Sequence, residues 1–251
     1  LAASRYSGLE LMAERKAEMI ELKPSGGHRV RLVFYSPTRG LIGYQGELLT
    51  DTLDSLWRAY AGFLIGACLG IALGLLAGVS RAVEGFFDPL VSLTYPVPKI
   101  ALLPILMSWL GLGDASKIAV IALGVFYPTF INAYYGAKAV NRLHVWSALN
   151  MGATRLQVFA KVVLPSAAPQ VLTGLRIGLA LAFIVMFAAE MVGAKTGLGN
   201  LVMEAEASLR FDLMYAAIIA IGVLGFASDR LLLALRRRLL AGRLAGHVDH
   251  A

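Results

Sequence analysis

Five long apolar runs set the strongest limit on how this chain can fold. They cover about residues 56–79, 89–112, 118–137, 172–194 and 213–235. Each is close to the ~20 residues that a helix needs to cross the hydrocarbon core of a membrane. Hydrophobic residues make up 58% of the 251 residues and charged residues only 16%, which is more apolar than a water-soluble domain of this size. The sequence therefore predicts an all-α integral membrane protein with about five spans.

The net charge of +7 is better explained by membrane topology than by binding to nucleic acid. After residue 54 most basic side chains lie next to the apolar runs, as they do in cytoplasmic segments of membrane proteins. The segment 138–170 and the C-terminus are therefore predicted to be cytoplasmic, and counting back through the spans places residues 1–50 outside. The markers are Lys138, Arg142, Arg155, Lys161, Arg230, Arg236, Arg237, Arg238 and Arg243.

Residues 1–47 differ in character from the rest of the chain. They are polar and carry charges of both signs, with no apolar stretch of the kind found in a secretory signal. We predict a partial domain at 1–47 followed by a membrane domain at 48–251. The expected elements are a helix running into a strand (Leu9–Glu21), a turn (Pro24–Gly27), a strand (Arg29–Tyr35), a loop (Pro37–Gly40) and a short helix (Leu41–Leu49).

The most specific local pattern is the basic, amphipathic segment Val140–Pro165, which we call the elbow. Gly152 can end a first short helix as its C-cap. Thr154 and Gln157 have the spacing of a capping box, which would start a second helix that Pro165 closes. Two helices joined at a glycine beside a membrane indicate a surface that binds another protein.

Glycine recurs every fourth residue through the first apolar run. On a helix these positions align along one face and allow a neighbouring helix backbone to approach closely. Packing within the chain is the simpler interpretation, and a dimer seam is the alternative. The glycines are Gly62, Gly66, Gly70, Gly74 and Gly78.

Three residues in the apolar runs are candidates for a translocation path. Glu190 lies near the far end of the fourth run, where an ionisable group should face a cavity or a partner, and Lys195 is the candidate partner that would make its role structural. Pro96 and Pro98, together with Pro104, interrupt backbone hydrogen bonding in the second run. They indicate either a helix that lines a pathway or a simple kink.

Catalytic and metal-binding motifs are not visible in the sequence. The chain has one cysteine and four histidines, too few and too scattered for the clustered ligands of a metal site. It has no nucleotide-binding GxxxxGK[ST] and no GxSxG pattern. We therefore predict that the chain is not an enzyme and binds no metal.

The elbow resembles a motif of one transporter family. Gly152, followed after nine residues by Val162-Val-Leu164-Pro165, is similar to the EAA loop of binding-protein-dependent ABC importer permeases. Further segments resemble the nitrate/sulfonate/taurine/bicarbonate branch of this family. They are Gly174-Leu-Arg176-Ile-Gly178, and Ala189-Glu-Met-Val-Gly-Ala194 with Gly197-Leu-Gly199. The resemblance covers about residues 48–245 and implies a type I (MetI-like) permease bundle.

The resemblance also implies partners and roles. The elbow would dock into a groove on a cytoplasmic ABC ATPase, which holds the ATP and magnesium, so that this chain itself binds no cofactor. A second permease copy would complete the pathway, and a periplasmic or lipid-anchored solute-binding protein would deliver substrate at the bacterial inner membrane. The docking residues would be Trp146, Ser147, Ala148, Gly152, Ala153, Thr154, Leu164 and Pro165.

The chain departs from the family pattern in two ways. Trp146 stands where the family has the glutamate of its EAA motif, and the further span that normally precedes Leu56 is not seen. Residues 9–52 instead resemble the C-terminal region of the translational GTPase family TypA/BipA, through Ser36–Asp51 above all. A chimeric permease is therefore the expectation, and a non-functional fusion or a GTPase fragment with a membrane tail is the alternative.

The substrate class stays open at the level of sequence. The branch implies a small solute such as nitrate, a sulfonate, taurine or bicarbonate. An ionised Glu190 facing the path would repel an anion, which makes a cationic or zwitterionic metabolite the alternative.

Overall fold

A computed structural model describes residues 9–14, 19–24, 30–33 and 37–244, with side chains at 48–234 and 236. The chain divides into two compact units, Leu1–Leu49 and Thr50–Ala251. This boundary lies two residues from the expected one. Of the predicted turn at Pro24–Gly27, only Pro24 is among the described residues, and the rest of that prediction lies outside them.

The first unit contains a three-stranded antiparallel sheet of β1 (Leu9–Glu14), β2 (Met19–Pro24) and β3 (Val30–Val33). Leu9 pairs with Pro24, and Met19 pairs with Val33. The predicted helix at the start of Leu9–Glu21 is wrong, because the pairing of β1 with β2 overrides the local helix preference of this segment. The strand predicted over Arg29–Tyr35 is confirmed at its centre.

Helices build the rest of the chain. They are α1 (Pro37–Val79), α2 (Arg81–Thr94), α3 (Leu103–Leu110), α4 (Asp114–Lys138), α5 (Arg142–Asn150), α6 (Arg155–Val158), α7 (Leu164–Gly193), α8 (Leu198–Ala207) and α9 (Phe211–Leu244). A 3₁₀ turn at Lys99–Leu102 precedes α3, and a π-helical turn at Phe159–Val163 joins α6 to α7. The loop predicted at Pro37–Gly40 is instead the first turn of α1, where proline is tolerated because its missing N–H has no intrahelical partner.

Among the described residues four helical segments are long and apolar enough to cross a membrane: Leu48–Val79, Asp114–Lys138, Arg155–Gly193 and Phe211–Ala234. They match the first, third, fourth and fifth predicted spans. The second is not one straight span, because α2 and the Lys99–Leu110 segment meet at 91°. Pro96 and Pro98 lie between them and remove the backbone donors that a continuous helix would need.

Helix α4 lies at the centre of the bundle and packs against α1 and α7. Its buried side chains Ile121 and Val125 belong to one apolar cluster with Phe63 of α1 and Phe183 of α7. The α1 glycines lie at this contact: a Cβ on Gly66 would come within 2.3 Å of the Ala122 carbonyl oxygen, and one on Gly70 within 2.1 Å of Thr129 Oγ1. Gly62, Gly74 and Gly78 contact α4 in the same way.

Candidate functional site

The elbow is a helical hairpin whose corner is fixed by backbone conformation. Helix α5 ends at Asn150 with Met151 as its C-cap, and Gly152 follows with φ +84°, a left-handed conformation that glycine adopts without steric cost. The Gly152 N–H donates to the Leu149 carbonyl at 2.9 Å. The predicted role of Gly152 as the end of the first helix is confirmed.

The second arm begins with the predicted capping box. The Gln157 N–H donates to Thr154 Oγ1 at 3.3 Å, and the Thr154 N–H donates to Gln157 Oε1 at 2.8 Å. Both pairs satisfy backbone or side-chain groups that the end of a helix would otherwise leave to water. The corner is therefore held by hydrogen bonds on both sides of Gly152.

Pro165 does not close the second helix, contrary to the prediction. It lies in the first turn of α7, and the π-helical turn Phe159–Val163 comes directly before it. A π turn shifts the backbone pairing by one residue, which accommodates a proline that cannot donate to the preceding turn. The elbow thus continues into the long span without a break.

The base of the elbow is anchored in the bundle. Val163 is buried with Leu75 of α1 and Ala133 of α4, and Phe159 packs against this cluster. Val158 is also buried. The base of the elbow is therefore packed against the spans.

The outer side of the elbow exposes large apolar side chains. Trp146 is 57% exposed, Met151 87% and Leu156 76%. Exposed apolar side chains on a polar connector, grouped around one corner, are typical of a protein-binding surface. A groove of about 480 Å³ lies beside them and is lined by Ser147 and Ala148 together with Met151.

The structure brings the predicted docking residues onto this one element. Trp146, Ser147 and Ala148 lie on α5, and Gly152, Ala153 and Thr154 form the corner, of which Ala153 is half-buried. Leu164 and Pro165 lie at the other end of the second arm, where α7 begins.

A buried polar cluster at the opposite end of the bundle was not predicted as a unit. Arg58 of α1 donates through Nη1 to Glu190 Oε1 at 2.9 Å and through Nε to Asp114 Oδ1 at 2.8 Å. Ser55 Oγ lies 2.8 Å from Glu190 Oε2, which also accepts from the Gly199 N–H at 3.0 Å. The cluster therefore joins α1, α4, α7 and α8.

The partner of Glu190 is Arg58, and the interpretation that assigned Lys195 is wrong. The Glu190 side chain is 0% exposed and that of Arg58 is 4% exposed. Gly197 at the start of α8 has φ +114°, and a Cβ there would come within 2.5 Å of Glu190 Oε1. The chain turns sharply at Gly197, and a side chain there is excluded by this close approach to the cluster.

The residues predicted for a translocation path do not share one cavity. A cavity of about 350 Å³ between the α2–α3 bend, α4 and α7 is lined by Pro98, Lys99, Tyr127 and Ile184 among others, whereas Pro96 and Glu190 do not line it. Its charged group, Lys99, is engaged: Nζ donates to the carbonyls of Thr94, Tyr95 and Val97 at 2.5–3.0 Å. The ammonium group caps the end of α2 and holds the bend.

Comparisons of the sequence with known proteins find a family of transport proteins and several relatives. The family model described as the binding-protein-dependent transport system inner membrane component matches residues 70–241. The taurine transport system permease protein TauC of Escherichia coli is 40% identical over 185 residues, which cover 74% of this chain and 67% of TauC. SsuC of Bacillus subtilis, named as an aliphatic sulfonates transport permease, is 36% identical over 198 residues, or 79% of this chain and 72% of SsuC.

The solved structures agree on the fold. The MetNI methionine ABC transporter in an inward-facing conformation matches with a TM-score of 0.64 at 20% identity, over 80% of this chain and 99% of the matched chain. The resemblance of residues 9–52 to TypA/BipA gains no support from these matches and stays a prediction.

Proposed function

The chain belongs to the family of binding-protein-dependent transport system inner membrane components and is the permease subunit of an ABC importer, and from this premise we propose that the elbow is the surface on which the ATPase subunit docks. The observation that carries the proposal is the exposure of Trp146, Met151 and Leu156 around a corner fixed by Gly152 and the capping box. The family has ATPase and substrate-binding partners in general. ATP and magnesium would be held by the ATPase, and this chain would supply the moving pathway.

Trp146 gives this docking surface a different chemistry from that of the family motif. An aromatic side chain that is 57% exposed stands where the motif has an acid. Its binding to the ATPase would rest on burial of an apolar surface rather than on a charge pair. The matching groove on the ATPase is therefore expected to be apolar at this position.

We infer that the elbow faces the cytoplasm and that the chain spans a bacterial inner membrane several times. The basic residues of the elbow and of the end of α9 support this orientation by the positive-inside rule. Exposed apolar side chains on α9, such as Ile219 and Phe226, suit contact with lipid or with a second permease copy. We propose a homodimer, with a periplasmic or lipid-anchored binding protein on the side of the polar cluster.

The proposed substrate is a sulfonate such as taurine. The names of TauC and SsuC support this class. The preference for a cationic or zwitterionic metabolite over an anion rested on an ionised Glu190 in the path, and that side chain is buried against Arg58. The 350 Å³ cavity beside Pro98 is large enough for a small solute and is mostly apolar, so selection of the sulfonate would lie with the binding protein.

Uptake into proteoliposomes tests this function. With the chain, its ATPase and its binding protein reconstituted together, we expect ATP-dependent, saturable uptake of labelled taurine. An excess of an aliphatic sulfonate should compete with it, whereas nitrate or bicarbonate should not. Uptake of nitrate or bicarbonate without uptake of taurine would overturn the substrate class, and ATP-independent entry would overturn the transport role.

A further inference from the structure

A second cavity, of about 590 Å³, lies on the elbow side of the bundle and is rich in positive charge. It is formed by the start of α2, the end of α4 and the inner face of the elbow. Its charged lining residues are Arg81, Glu84, Lys138, Arg142 and Arg155. Val145 and Leu149 of α5 line it too, whereas the groove beside Met151 is formed by other residues of α5.

Only one of the four cations in this cavity is neutralised within the described part of the chain. Lys138 pairs with Glu84, and Tyr134 Oη also donates to Glu84 at 2.6 Å. Arg81, Arg142 and Arg155 make no hydrogen bond or ion pair with other described residues. Three guanidinium groups therefore line one cavity without a hydrogen-bonded acid, and Glu84, the acidic side chain in the lining, already accepts from Lys138 and Tyr134 and attracts Arg81 as well.

Two of these arginines lie where the helix dipole adds to the positive charge of the cavity. Arg81 is the first residue of α2 and Arg142 the first residue of α5. The start of a helix carries the positive end of its dipole and normally favours acidic residues. At α2 the side chain of the preceding Ser80 makes no capping hydrogen bond, which leaves backbone N–H groups at this end of the cavity available to an acceptor.

We propose that this cavity binds a phosphate-type anion, whose oxygens accept hydrogen bonds from Arg81, Arg142 and Arg155. Guanidinium groups pair with phosphate through two parallel hydrogen bonds, and an uncapped helix start is a suitable anion contact. The same chemistry is offered by the headgroup of an anionic phospholipid and by free phosphate. A bound anion would link α2 to both arms of the elbow and restrain the elbow against the bundle.

Binding titrations followed by native mass spectrometry test this proposal on the full chain. The probes are phosphatidylglycerol added to micelles of a non-ionic detergent, and inorganic phosphate added to the same micelles without lipid. The variant Arg142→Gln/Arg155→Gln removes two exposed, unpaired cations, so its fold should be retained. The matched control Lys161→Gln/Lys195→Gln removes two exposed cations that do not line the cavity.

We expect the Arg142→Gln/Arg155→Gln variant to weaken binding of one probe by about tenfold or more, since each basic residue adds appreciably to binding of an anionic headgroup. The control should change it by less than about twofold. Loss confined to phosphatidylglycerol identifies a lipid site, and loss with inorganic phosphate identifies a soluble anion. Absence of saturable binding of both probes, or an equal loss in the control, would overturn the proposal.

Discussion

Replacing Arg58 by methionine is expected to lower the free energy of unfolding by about 3–5 kcal/mol, the range for removing one partner of a buried ion pair. The substitution keeps the helix preference and an unbranched, flexible side chain but removes the guanidinium group. Glu190, whose side chain is fully buried, would keep only the contacts from Ser55 and the Gly199 N–H. Reversible unfolding in mixed micelles measures this loss.

The ion pair between Arg176 and Asp229 supplies a matched control. Its shortest distance is 2.7 Å, similar to the contacts of Arg58, but the Arg176 side chain is 52% exposed. An exposed pair contributes about 0–1 kcal/mol, so Arg176→Met should cost little. If both single substitutions cost the same, the buried cluster is not a stability centre.

A double substitution separates the charge from the packing of this cluster. Arg58→Met/Glu190→Gln removes both buried charges, and the glutamine can still accept from the Gly199 N–H. We expect the double variant to be more stable than Arg58→Met alone, because no uncompensated buried charge remains. A double variant that loses the sum of both single effects would contradict a direct interaction between the two side chains.

Gly66→Ala is expected to cost about 1–3 kcal/mol, the usual cost of overpacking a close contact. A Cβ on Gly66 would lie 2.3 Å from the Ala122 carbonyl oxygen and 2.9 Å from Val125 Cβ. The first contact is with backbone, so α1 and α4 would have to move apart. The free energy of unfolding in mixed micelles measures this effect.

Gly85→Ala is the control for this helix contact. Gly85 lies within α2, and a Cβ there would meet no heavy atom within 4 Å. Alanine should therefore stabilise the helix by about 0.5–1 kcal/mol through its higher helix propensity. The two glycine substitutions should have opposite signs, and a Gly66→Ala chain as stable as the wild type would refute close packing of α1 on α4.

The elbow could be predicted from sequence because its signals are local. Gly152 and the pair Thr154 and Gln157 act within one or two helical turns, and the structure contains both features. The prediction that the second helix of the elbow ends at Pro165 was wrong, because proline is compatible with a helix start as well as a helix end. The preceding π turn decides between a helix start and a helix end at Pro165, and no sequence pattern predicts that turn.

The contacts of Glu190 could not be predicted because they depend on distant parts of the chain. Arg58 lies 132 residues away in sequence, and Lys195 was the nearer cation. A better signal was available: Arg58 is itself a charge within an apolar run, and two opposite charges in two spans favour a pair. Pro96 and Pro98 indicated a break after α2, where the structure has a 91° bend. The angle itself could not be predicted, because it depends on packing and on the hydrogen bonds of Lys99 to the end of α2.

Equilibrium binding of the purified ATPase subunit to the chain in nanodiscs tests the docking role of the elbow most directly. Leu156→Glu places a charge on the exposed apolar surface, where Leu156 is 76% exposed. Leu112→Glu is the matched control, because Leu112 is similarly exposed, at 67%. It lies just before the start of α4, whereas the elbow follows the end of α4, so the two substitutions are separated by the length of that helix. We predict that Leu156→Glu weakens ATPase binding by about tenfold or more and that Leu112→Glu leaves it within about twofold. Wild-type affinity in the Leu156→Glu chain would contradict docking through the elbow.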